Sequence, residues 1–323
     1  MDQGLGTRDQ GLGTGDRGPG TKIYVAGHTG LIGSALVRYF FKQGSVRLIV
    51  APHSELELTD QTQVSDFLST HRPDVVICAA GFVGGILANS KYPAEFIYKN
   101  LMIEANLIHA AWRAGVQRLL NFGSSCVYPK NSPQPITTDM LMTGPMEATN
   151  EPYGIAKLAG MSLCESYNRQ YGTAYLNVIP SNIYGPGDNY DLEKCHVISA
   201  AIRKFHEAKA KGTRQVTFWG SGNVTRDFLF VDDMARACAL LLEKYRGSRP
   251  IHAGAQRPCR VRDLVEKIKG VVGFEGKVVW DISKPDGAPQ RILDAAEIKK
   301  LGFVPKIDLD EGLRRTYEWF VKS

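Results

Sequence analysis

A parallel, doubly wound α/β sheet, Rossmann-like and closed by a smaller C-terminal lobe, is the fold this sequence predicts. Three observations carry that expectation. Short β-rich apolar runs alternate with stretches of helical periodicity, the signature of βαβ units. A glycine turn, Gly27-His28-Thr29-Gly30-Leu31-Ile32-Gly33, joins the first such run to the first helical one. The length, 323 residues of which 43% are hydrophobic, suits one large α/β unit or two intimate lobes.

The chain opens on a near-duplication, DQGLGT at 2–7 and again at 9–14. Its glycine content argues against packing, so residues 1–21 are read as a disordered extension without chemistry. Folding is expected to begin at Lys22 with KIYVAG, followed by the helical LIGSALVRYFFKQG. Next come the strand VRLIVA, the helix QTQVSDFLSTH and the strand DVVICAA. The helix PAEFIYKNLMIEANLIHAAWRAG and the strand QRLLNFG complete the early repeats. Right-handed crossovers then put ligands at the carboxyl ends of these strands. Further on, VDDMARACALLLEKY has Leu and Ala at core spacing and reads as a packing helix. The expected division is a dinucleotide-binding unit over 22–180 and a second lobe over 181–323, with some of its strands returning to the main sheet.

Composition narrows the function classes. No apolar run approaches the roughly 20 residues of a membrane span. The opening residues lack the apolar centre of a secretory signal. Six scattered cysteines without a tight framework predict a reduced, cytoplasmic setting. The formal charge of +6 is spread along the chain with no basic block, which favours a polyanionic small ligand over nucleic acid. No metal centre is expected.

The glycine turn has the spacing needed for a backbone that approaches a pyrophosphate at a helix N-terminus. Gly27, Gly30, Leu31, Ile32 and Gly33 are therefore the cofactor candidates. The second strand does not end in an acid that would hold a ribose 2′-hydroxyl, and the basic residues nearby are His53 and Arg47. This favours NADP over NAD, although His53 reads equally well as an ordinary surface histidine.

The segment TNEPYGIAKLAG starts a helix in which Asn150 can cap and Pro152 suits the first turn. Tyr153 and Lys157 are four apart and share a face. A free tyrosine titrates near about 10, too high for easy proton transfer at neutral pH. The Lys157 ammonium is expected to lower that by favouring the phenolate. Ser124, at the end of the strand before GSSCVYPK, can hydrogen-bond the same substrate oxygen. Cys126, two residues on, reads alone either as core filler or as a base aimed at the same substrate.

Together these stretches, with NIYGPGDNY, FWGSGNVTRDFLFVDDMA and SKPDGAPQRILD, resemble the extended short-chain dehydrogenase/reductase superfamily over residues 22–323. Within it they are similar to the GDP-L-fucose synthases, NADPH-dependent 3,5-epimerase/4-reductases of a GDP-4-keto-6-deoxy sugar. The resemblance implies that Ser124, Tyr153 and Lys157 serve the reduction, Cys126 is the epimerisation base and His196 its acid partner, with Cys195 a bystander. It assigns Lys157 and Asn182 to the cofactor, with Tyr184 nearby. It gives His196, Lys204, Trp219, Arg226, Asp286 and Arg291 to the sugar nucleotide, Arg226 by a bidentate grip on the diphosphate. Phe82, Val83 and Asn189 would shape the sugar pocket. Two residues depart from the family pattern: Lys204 replaces an arginine of bacterial members, and Thr29 stands where some members carry an arginine against the 2′-phosphate. Homodimers through the helices bearing PAEFIYKN and YGIAKLAG are also implied. The competing readings are a related enzyme for a GDP-4-keto heptose or a colitose-type 3,6-dideoxy sugar, and a non-catalytic dinucleotide sensor.

Overall fold

The computed structural model describes residues 20–284 and 286–323, without the side chain of Ile86. The extension expected over 1–21 lies outside these residues except at its end, where the first strand already begins at Thr21.

The first half runs β1 (Thr21–Ala26), α1 (Leu31–Gln43), β2 (Val46–Ile49), α2 (Gln61–His71), β3 (Val75–Cys78), α3 (Ile86–Lys91), α4 (Pro93–Arg113), β4 (Arg118–Phe122), α5 (Glu151–Tyr171) and β5 (Ala174–Pro180). The second runs β6 (Asn182–Tyr184), α6 (Val197–Ala210), β7 (Gln215–Trp219), β8 (Thr225–Phe230), α7 (Val231–Lys244), β9 (Ile251–Ala253) and β10 (Pro258–Arg260). It ends with α8 (Val261–Val272), β11 (Lys277–Asp281), β12 (Gln290–Arg291), α9 (Ala296–Lys300) and α10 (Leu309–Lys322).

Six parallel strands form the main sheet in the order β2-β1-β3-β4-β5-β9. Every residue of β3 and β4 is buried, because helices cover both faces. Along β1 the alternation is visible. Ile23 and Val25 meet α1, α7 and α9 through Leu36, Met234, Leu241 and Ile298. Tyr24 and Ala26 meet α2, α4 and α5 through Leu68, Leu107, Ile108 and Cys164. So α7 is the packing helix its periodicity predicts, and β9, α7 and α9 bring the late chain onto the early sheet.

Outside the sheet, β8 pairs with β6 and β12 in parallel and with β10 antiparallel, while β11 pairs with β7. Beneath them Phe205, Phe218, Phe230, Leu264, Ile268 and Leu313 form a second core with α6, α8 and α10. Asp60 caps α2 by accepting from the Thr62 and Gln63 amides at 2.9 and 3.0 Å. Asn150 does not cap α5 as its identity suggests: its amide donates to Glu147 at 3.2 Å. Pro152 does lie in the first turn of α5. The β1–α1 turn, Ser124 and Asn182 all follow carboxyl ends of parallel strands, where α/β folds place their ligands.

Candidate active site

At the β1–α1 turn Gly27 has φ +78°, and a Cβ there would stand 2.6 Å from the Ala80 Cα. A Cβ on Gly33 would stand 2.7 Å from the Gly27 carbonyl carbon and 2.8 Å from the His28 Cα. Only glycine lets strand, loop and helix close to backbone contact. The Gly30 amide donates to the Gly27 carbonyl at 3.0 Å. Helix α1 has no side-chain cap and no acid in its first turn, so its positive end is available to an anion. A dinucleotide pyrophosphate fits this cradle. His53, in the loop after β2, is exposed and held 2.8 Å from the Glu57 carboxylate. Asn182 is exposed and donates to the Asp227 carbonyl at 3.0 Å. Tyr184 is 2% exposed, its ring packed on Phe228 and Phe230 in the second core.

Four of the expected catalytic residues come together where β4 meets α5. Ser124 opens a short 3-10 turn, Ser125–Val127, and its hydroxyl accepts the Cys126 amide at 3.2 Å. Helix α5 presses on this turn so closely that a Cβ at Gly154 would lie 3.0 Å from the Cys126 carbonyl oxygen. Ser124 favours ionisation of the Tyr153 phenol and Cys126 opposes it, and Cys126 acts on Arg226 as well. The Phe96 ring meets Tyr153 edge-on at 6.2 Å.

The acidity of Tyr153 differs from the sequence expectation. Burial pushes the phenol up to about 12, against the opposing pull of Lys157. Burial outweighs the lysine, and Cys126 and Glu104 add to it. The Lys157 ammonium forms an ion pair with Glu104 of α4, with the lysine side chain 4% and the glutamate 2% exposed. Burial alone would lower Lys157, but Glu104, with Tyr153 and Cys78, holds it above the ordinary lysine range. Burial likewise raises the Glu104 carboxyl well above the usual carboxylate range, outweighing the attraction of Lys157. The sequence reading missed Glu104. Its signal was an acid in the buried stripe Asn100, Ile103, Leu107 and Ala111 of α4.

His196 arrives from the second half. It is exposed at the N-cap of α6. The Gly85 amide donates to the Lys194 carbonyl at 3.1 Å, seating this segment against the loop after β3. Asn100 fixes the same loop by accepting the Phe82 amide and donating to its carbonyl, both at 2.9 Å. Val83 on this loop and Asn189 before α6 are both exposed. Burial and Asp188 push the Cys195 thiol up to about 11, which suits a bystander.

Arg226 and Arg291 are register partners on the paired strands β8 and β12. Arg291 donates to the Ser125 carbonyl and so touches the Ser125–Val127 turn. Burial, then the charge of Arg291, pushes Arg226 down to about 10. Among the described residues no carboxylate forms an ion pair with either guanidinium, and two adjacent cations in such a setting suit a diphosphate. On the adjoining loop, Asp286 accepts from the Ser221 amide and hydroxyl at 2.9 and 2.7 Å. Trp219 is 55% exposed with Lys284 over its ring. Lys204 donates to the Thr217 carbonyl at 3.0 Å and lies over Phe218.

One further pair steadies the turn. The Tyr128 hydroxyl donates to His252 Nε2 at 2.6 Å, and His252 Nδ1 donates to the Asp294 carbonyl at 3.0 Å. This bolts the residues just after Cys126 to β9. Among the described residues no cluster that could hold a metal occurs, and no helix is long and apolar enough to cross a membrane.

A parallel sheet with a phosphate-ready glycine turn, and a tyrosine and lysine one helical turn apart beside Ser124, define a protein of the extended short-chain dehydrogenase/reductase type. The chain belongs to the NAD dependent epimerase/dehydratase family, whose model matches residues 23–253, and within it to the GDP-L-fucose synthases. It is 48% identical over 302 residues to GDP-L-fucose synthase 1 of Arabidopsis thaliana, covering 94% of each chain. It is 47% identical over 311 residues to the GDP-L-fucose synthase of Escherichia coli strain K12, covering 94% of this chain and 97% of that one. A solved GDP-L-fucose synthetase from Naegleria fowleri bound to NADP superimposes with a TM-score of 0.87 at 27% identity, over 93% of this chain and 94% of that one.

Proposed function

We propose that this enzyme converts GDP-4-keto-6-deoxy-D-mannose to GDP-L-fucose by epimerisation at C3 and C5 and NADPH-dependent reduction at C4. The observation that carries the reading is the junction of β4 and α5. There Cys126 shares one short turn with Ser124 against the helix bearing Tyr153 and Lys157. A proton-abstracting thiol and a proton-donating phenol can thus serve one sugar ring.

The C4 ketone acidifies the protons on C3 and C5. Cys126 removes each, and His196 returns a proton to the opposite face, inverting the centre. Tyr153 then protonates the C4 oxygen, with Ser124 hydrogen-bonding the same oxygen. When bound, NADPH supplies the hydride to C4. Gly27, Gly30, Leu31, Ile32 and Gly33 would hold its pyrophosphate, with Lys157, Asn182 and His53 as further cofactor contacts. Arg226 and Arg291 hold the diphosphate of the substrate, and Lys204, Trp219 and Asp286 complete its nucleotide site.

The chain is further read as a homodimer through the outer face of α4 and α5, where Tyr98, Ile155 and Tyr171 are exposed. All six cysteines are free, which suits a reducing cytoplasm. The reaction is tested by incubating the purified protein with GDP-4-keto-6-deoxy-D-mannose and NADPH and identifying the product sugar. Recovery of GDP-L-fucose is expected. An unepimerised 6-deoxy sugar, or no consumption of NADPH, would refute the reading.

A further inference from the structure

Glu104 is 1% exposed, in a stripe of α4 whose other members are Asn100, Ile103, Leu107 and Ala111. Burying a carboxylate there is costly, and acids are almost never found so deep unless paired. The neighbouring helix makes room for it. Gly160 of α5 faces Glu104 so closely that a Cβ would stand 2.5 Å from the carboxyl carbon. One carboxylate oxygen pairs with Lys157, and the other is buried without a hydrogen-bond partner among the described residues. A buried ion pair with one oxygen unsatisfied is a poor device for stability alone. It stands, however, one helical turn from Tyr153.

We infer that Glu104 is a positioning residue of the reduction site, anchoring the Lys157 ammonium and compensating its charge so that Tyr153 keeps its proton for the substrate oxygen. This rests on the reading of Tyr153 as proton donor. The titratable groups that bear on the Glu104–Lys157 pair are Cys78 at the end of β3 and Cys164 and Tyr153 on α5, while Cys126 on the turn after β4 bears on Tyr153. Burial raises the thiols of Cys78 and Cys164, keeping them neutral. Lys157 carries the positive charge, and Glu104 answers it. The charge of Glu104 also acts directly against ionisation of Tyr153. With glutamine at 104, the groups left to answer the ammonium are Tyr153 and Cys78, so the ammonium is held by ionisation of the phenol and the phenolate is favoured.

The direction follows from the reaction. Reduction needs the protonated phenol, so its rate falls at alkaline pH as Tyr153 ionises. In Glu104→Gln that fall should begin about one pH unit lower or more. The test is kcat/KM for NADPH consumption with GDP-4-keto-6-deoxy-D-mannose, followed across pH in the wild type, Glu104→Gln and Glu104→Asp. The expected result is an alkaline limb moved to lower pH in Glu104→Gln and returned toward the wild-type position in Glu104→Asp, which keeps the charge. A merely structural role would lower the plateau and leave the limb in place, and that outcome overturns the inference. So does a Glu104→Asp limb that coincides with that of Glu104→Gln. Should Glu104→Gln fail to fold, Gly160→Ala asks the same question by displacing the carboxylate from Lys157, and an unmoved limb there is equally fatal. Tyr153→Phe separates the two levels. If it keeps its turnover, the reading of Tyr153 itself fails. If it is inactive while the limb stays fixed in Glu104→Gln, only the role of Glu104 fails.

Discussion

Acid should weaken this fold through His252. The ring is 2% exposed on β9, its Nε2 accepting from Tyr128 and its Nδ1 donating to the Asp294 carbonyl. With Nδ1 donating to a carbonyl, the neutral ring accepts at Nε2 from the Tyr128 hydroxyl, whereas a protonated ring would need that buried hydroxyl to turn and accept. Burial accordingly pushes His252 down to about 4 from an ordinary value of 6.5. The unfolded chain therefore takes up this proton first. The contribution to stability is complete above about pH 6.5 and is lost progressively as the pH falls toward about 4. At about 1.4 kcal/mol per pH unit, the loss across that interval reaches about 3 kcal/mol. Urea unfolding of the wild type and His252→Gln at a series of pH values measures it. Carboxylates titrating in the same range are common to both proteins and cancel in the difference. The wild type should lose about 3 kcal/mol more than the variant over the interval. Parallel stability curves would refute the assignment of a neutral, buried His252.

The other outcomes follow from the site. Gly33→Ala should destabilise the fold by about 1–3 kcal/mol, because the new methyl meets backbone that cannot yield; it should also weaken NADPH binding, and an unchanged dissociation constant would contradict the cradle. Cys126→Ser, run in heavy water with mass spectrometry, should lose deuterium incorporation at C3 and C5 while still reducing the 4-keto sugar slowly. His196→Asn should instead retain partial exchange, and wild-type exchange in Cys126→Ser would reduce the thiol to packing. Thr29→Arg should raise the kcat/KM preference for NADPH over NADH through a charge-assisted hydrogen bond; an unchanged ratio would mean that position 29 does not face the 2′-phosphate.

Much of this architecture was legible in the chain because local pattern and burial agree. The apolar runs VVIC and RLLNF are buried on both faces and could be read as inner parallel strands. Tyr153 and Lys157 needed only helical spacing, and the glycine turn only its place between a strand and a helix. What escaped depends on partners far along the chain. Glu104 meets Lys157 across 53 residues, and His252 meets Tyr128 across 124. Nothing in the segment EANLIHAA says which helix will lie opposite its acid. The acidity of Tyr153 was misjudged for the same reason: a nearby ammonium was visible, but the burial and the second charge that offset it were not. Asn150 shows the local limit, since a residue able to cap found a better partner in Glu147.

Strand β8 passes without a break into α7, Phe230 ending one and Val231 beginning the other. The strand bears Arg226, and the helix packs through Met234 and Leu241 on the same core as Leu36 of α1. β9, just beyond, pairs with β5 along the sheet edge. A gene cut after Pro180 would therefore not yield a cofactor module and a sugar module. The first fragment would present an open β5 edge and a stripped apolar sheet face to water, inviting aggregation. The two halves must therefore be inherited as one piece.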